Sequence, residues 1–129
     1  MRSKIQILVI LAFMSVGKIV GQKIDGKFYI PGTCETGILK AEEQVSNRVF
    51  TSVSYGLQIR SGEGYKFYEF YRKYMKSKYG IIFKDGGCSI TDEVRCYSKR
   101  MRELTLEEFG PTIFERSKAE ALALYQKKE

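Results

Sequence analysis

Three cysteines are the residues of this chain best able to do chemistry: Cys34, Cys88 and Cys96. A cysteine nucleophile needs its thiolate and normally a base, usually histidine, to make it. The chain contains no histidine at all. A catalytic thiol at Cys88, beside the start of a helix, is therefore disfavoured, and a structural disulfide is the expected use. A helix starting near Thr91 or Asp92 places Cys96 about one turn in, leaning back toward the loop that carries Cys88. A Cys88–Cys96 bridge is the expected pairing, with Cys34 left over, buried or joined to a second chain. Pairings of Cys34 with Cys88 or Cys96 remain open at this point. The adjacent carboxylates Glu42-Glu43 and Glu107-Glu108 diverge on a helix, so they do not form an acid–base pair. No cysteine or histidine spacing matches a zinc site. The turn Asp85-Gly86-Gly87-Cys88-Ser89 lacks the lysine and the spacing of a phosphate loop. No cofactor and no metal is expected.

The charge is more informative. The 129 residues carry 22 Lys and Arg against 15 Asp and Glu, a net of +7. From Gly64 to Arg102 ten basic residues face four acidic ones, Glu69, Asp85, Asp92 and Glu93. Lys66, Arg72, Lys73, Lys76, Lys99 and Arg102 are the candidate binding residues of a basic helical face. Such a face attracts an acidic protein, a glycan or an anionic lipid surface. Between Tyr65 and Tyr79 aromatic and basic residues interleave in sequence, as they do on nucleic-acid stacking platforms. On a helical wheel they separate. Phe67, Tyr68, Phe70, Tyr71, Tyr74, Met75 and Tyr79 fall on one half, with Glu69, Arg72, Lys73, Lys76 and Ser77 on the other. The aromatic half is expected in the core, and no nucleic-acid partner is expected.

These residues must be positioned by short elements. Gln22 to about Thr36, with Gly26, Pro31 and Gly32, reads as an extended arm. Ile38 to Gln44 is composed of helix formers. From Arg48 to Ile59 β-branched and aromatic residues recur at alternate positions, which predicts a strand. Tyr65 to Tyr79 is a helix closed by Gly80, and Ile81 to Phe83 is a second strand running into the Gly86-Gly87 turn. Ser89 or Thr91 caps the next helix, with Asp92 and Glu93 at its positive end. Its apolar stripe is Val94, Tyr97, Met101 and Leu104, and it ends near Phe109-Gly110. Pro111 opens a last helix with Ile113, Phe114, Ala121, Leu122 and Tyr125 on one side. The expected fold class is α/β or α+β, a small single domain of short strands packed with about three helices, the two strands joined by the tyrosine-rich helix.

The N-terminus carries an address. Arg2 and Lys4 precede the apolar run Ile7 to Met14, and small residues follow at Ser15, Gly17 and Gly21, the grammar of a secretory signal peptide. A membrane-spanning helix needs about 20 apolar residues, and Lys18 interrupts this segment long before that. Residues 1–21 are read as a signal peptide cut before Gln22, with Lys18 as the alternative start, and 22–129 as a single globular domain that is not transmembrane after processing. The expected location is extracellular or periplasmic, where thiols pair. The resulting expectation is a secreted, non-enzymatic binding or accessory protein with a basic face. The alternatives are a small enzyme or enzyme inhibitor working without histidine, and an envelope-structural protein dimerising through Cys34.

Overall fold

A computed structural model describes residues 31–56 and 61–128. The signal-peptide reading of residues 1–21, the first part of the arm and the end of the first expected strand lie outside them. The described chain runs α1 (Cys34–Ser46), β1 (Phe50–Ser54), α2 (Gly62–Tyr79), β2 (Ile81–Asp85), α3 (Asp92–Phe109) and α4 (Ile113–Gln126). It is an α+β domain with four helices among these residues, the first of them the short segment of helix formers lengthened to a full element. Thr33 caps α1, its hydroxyl accepting from Thr36 N at 3.3 Å. Helical structure therefore begins at Cys34, and the arm ends sooner than Thr36. Gly80 stops α2 in the left-handed conformation, φ +69°, which costs glycine little. Thr91, not Ser89, caps α3 and accepts from Val94 N.

β1 and β2 pair in parallel, Phe50 opposite Ile81 through Ser54 opposite Asp85. Parallel neighbours need a long crossover, and α2 supplies it. Residues 50 and 52 of β1, with their partners Ile81 and Phe83, face α2 and α4. There Phe50, Tyr71, Met75, Ile81, Ile113 and Ala121 form the buried core. The expectation for the aromatic half of α2 holds: Tyr71 and Met75 are buried, and Phe67, Phe70, Tyr74 and Tyr79 pack around the cluster. Leu122, expected on the apolar side of α4, is exposed, because α4 packs on α2 through Ala121 and Ser117. The buried Tyr71 hydroxyl is satisfied by Ser117 Oγ at 2.8 Å and the Phe114 carbonyl at 3.2 Å.

The other sheet face carries α3, against which α1 lies. The two helices cross at Gly37, where a Cβ would stand 2.1 Å from the Glu93 carbonyl oxygen. Only glycine permits that approach. Lys40 pairs with Glu93, and Arg100 with Glu42 at 2.9 Å, on either side of the crossing. The crossing brings Cys34 and Cys96 to a Cα separation of 5.1 Å, and they form the disulfide. This corrects the expected Cys88–Cys96 bridge. Cys96 is turned toward α1, whereas the loop carrying Cys88 runs out along Gly56, whose N–H donates to the Gly87 carbonyl at 3.0 Å. Cys88 is exposed with a free thiol. Cys34, being bonded within the chain, is not left over for a second copy.

α2 and α4 are joined again at their far ends. Glu120 accepts from Tyr74 Oη at 2.6 Å, Lys78 Nζ at 2.8 Å and Tyr79 Oη at 2.9 Å. These bonds, that of Lys78 foremost, hold the Glu120 carboxyl down at about 2 against an ordinary value of 4.5. A depressed carboxylate contributes stability that is fully present above about pH 4.5 and lost as the pH falls toward 2.

Three outcomes follow. Alkylation of the folded, unreduced protein should modify Cys88 alone, and reduction under denaturing conditions should add Cys34 and Cys96. Removing the bridge as C34S/C96S should lower stability by about 4 kcal/mol on the chain-entropy model for a 62-residue separation, with C88S nearly neutral; urea unfolding measures both. In the same assay E120Q should lower the midpoint at neutral pH. It should also flatten the loss of stability between pH 4.5 and 2 relative to the parent chain.

Candidate functional site: a basic groove along the sheet edge

The groove is built from three elements. Its floor is β1, represented by Thr51, Ser52 and Val53, with Tyr55 just beyond the strand. One wall is α3, through Ser98, Lys99 and Arg102, and the other is Phe114 of α4. Its volume is about 390 Å³, within the usual range for ligand sites. Thr51 and Tyr55 reach toward α3, while Ser52 lies in the row that faces α2 and α4. Side chains from both faces of one strand can line a single groove only at the strand's edge. The groove therefore lies between the two helical layers, along the side of β1 away from β2.

A chain of hydroxyls fixes the floor. Tyr97 Oη donates to Gln44 Oε1 at 2.6 Å and meets Thr51 Oγ1 at 2.6 Å, tying α1, α3 and β1 together. Burial pushes the Tyr97 phenol up, so it stays neutral and serves as a hydrogen-bonding group. Tyr55 Oη meets Ser98 Oγ at 2.5 Å. Arg102 lies over the Phe114 ring with its guanidinium carbon 5.3 Å from the centroid, which holds the charge at the mouth of the groove.

The six candidate binding residues are not equivalent. Lys99 and Arg102 line the groove, and neither makes an ion pair among the described residues. No carboxylate lines it with them. The four residues of α2 do not line the groove. Lys66 pairs with Glu63 at 2.6 Å. Arg72 is held by Glu69 at 3.4 Å, the Phe83 carbonyl at 3.1 Å and the face of Tyr68. Lys73 and Lys76 stand exposed on the solvent side of α2. Thr51, Ser52, Val53, Tyr55, Ser98 and Phe114 were not singled out from the sequence. Nothing local marks a strand edge; Thr51, Val53 and Tyr55 belong to the alternating strand pattern, which marks a shared face and not an edge.

Among the described residues no group of three histidine, cysteine, aspartate or glutamate side chains is arranged to hold a metal ion, and no helix among them is long and apolar enough to cross a membrane. Comparison with protein-family models, with curated proteins and with solved structures finds no match. The chemistry of the groove itself must carry the functional reading.

Proposed function

We propose that this chain is an exported, non-enzymatic binding protein that captures an acidic partner in the groove beside β1. The observation that carries this reading is the convergence of Lys99 and Arg102, neither of them in an ion pair among the described residues, on one hydroxyl-lined groove that no carboxylate lines. A cation already paired on its own helix gains little from a second anion, because its field is largely cancelled. Lys66 and Arg72 are in that condition. Lys99 and Arg102 keep their full charge, and the ring under Arg102 keeps it in place. Export is supported by the leader grammar of residues 1–21 and by the Cys34–Cys96 bridge, since disulfides persist mainly outside the cytoplasm. The binding reading is supported by the make-up of the groove, whose hydroxyls and two cations offer hydrogen bonds and positive charge to an anion.

The test compares two charge reversals of equal size. Binding of a labelled polyglutamate chain at low salt should weaken by at least about tenfold in K99E/R102E and by less than about threefold in K73E/K76E, because only the first pair removes charge from the groove. Equal losses would reduce the effect to net charge and remove the groove from the account.

A further inference from the structure

Among the described residues nothing fills the hydrogen-bonding positions on the outer edge of β1. Along a strand, backbone groups alternate between its two edges, so the direction of one residue fixes the rest. The Ser54 carbonyl accepts from Gly86 N at 2.8 Å, on the β2 side. Val49 N turns the other way, donating to the Gln44 carbonyl at 2.8 Å. Ser52 and Ser54 therefore bond toward β2, and the N–H and C=O of Thr51 and Val53 point into the groove. Among the described residues no third strand pairs with β1. The result is two donors and two acceptors, repeated at about 6.6 Å along the strand, on the floor of a groove already lined by Lys99 and Arg102; Thr51 is only 3% exposed, so the half-buried Val53 presents the more accessible pair.

We propose that the groove takes an extended acidic peptide segment of a partner protein, which adds to the outer edge of β1 as a third strand. The inference rests on the acidic-partner reading above and names its chemistry. An added strand satisfies the outward groups of Thr51 and Val53 through its own backbone, and its side chains alternate between the two walls. Those on the α3 side meet Lys99 and Arg102, which selects Asp or Glu there. Those on the α4 side meet Phe114, which selects an apolar residue. The preferred segment thus alternates acidic and apolar residues. Charge complementarity sets this occupant apart from an unrelated edge-to-edge contact, since a basic or neutral strand would bury its alternate side chains against two unpaired cations. A glycan or a lipid headgroup would meet the cations but leave the amide template unused.

The probe is an end-blocked, fluorescent octapeptide of alternating Glu and Val, titrated by anisotropy against the oxidised, processed chain. Two further peptides carry N-methyl groups on the Glu amides or on the Val amides; both keep all four carboxylates. Strand addition uses only one of these amide sets. One methylated peptide should therefore lose at least about tenfold in affinity while the other stays within about threefold, and K99E/R102E should weaken the unmethylated peptide as strongly. If both methylated peptides bind within about threefold of the parent, strand addition is overturned and the groove is a charge site. If no peptide binds but a sulfated oligosaccharide or an anionic lipid vesicle does, with loss in K99E/R102E, strand addition fails while the acidic-partner reading stands. Failure of every anionic probe would overturn both.

Discussion

A parallel pair of five-residue strands is the constraint on which the rest of this fold depends. Two strands cannot stand alone in water, and parallel neighbours cannot be joined by a tight turn. The chain answers both demands with α2, which carries it from the end of β1 back to the start of β2 and lays its aromatic side on one sheet face. Phe50 and Ile81, at the start of the two strands, are buried beneath Tyr71 and Met75. The opposite face is covered by α3. Covering both faces leaves the edges, and on the β1 side the covering helices also provide the walls of a groove. The arrangement that makes the core makes the candidate site.

The second organising contact is the crossing of α1 on α3. Gly37 brings the backbones together, the Lys40–Glu93 and Arg100–Glu42 pairs flank the crossing, and the disulfide closes it. Individually the exposed ion pairs contribute little. The bridge acts differently, by restricting the unfolded chain across most of the described sequence. It also steadies the groove from behind, because Gln44 of α1 holds Tyr97, which in turn holds Thr51 on the floor. The oxidised Cys34–Cys96 bridge and the formed groove are thus linked through one chain of contacts.

Much of the fold was legible in the sequence, for local reasons. The separation of aromatic from charged residues in α2 is a property of one helix, as are the Gly80 stop and the acidic first turn of α3. The i, i+3 pairs Glu63–Lys66 and Glu69–Arg72, which occupy two of the six candidate cations, came from the structure; the reading of a basic face left those cations free. What escaped depends on distant elements meeting. Cys88 is close to Cys96 along the chain, but the helix crossing selects Cys34. Gly37 looks like an ordinary weak point of a helix until α3 is laid against it. An alternating strand announces which side chains share a face, not whether its edge is filled, so Thr51, Ser52 and Val53 could not be recognised as a groove floor.

The claim most exposed to test is that β1 keeps an open outer edge in the free, oxidised protein. Residue-resolved amide hydrogen exchange by NMR reads it directly. Slow exchange is expected at Ser52 and Ser54, whose amides lie on the β2 side, and exchange at least about tenfold faster at Val53, whose N–H faces the groove and which is less buried than Thr51. Equal protection at Ser52, Val53 and Ser54 would mean that the edge is already occupied, and would contradict an open groove.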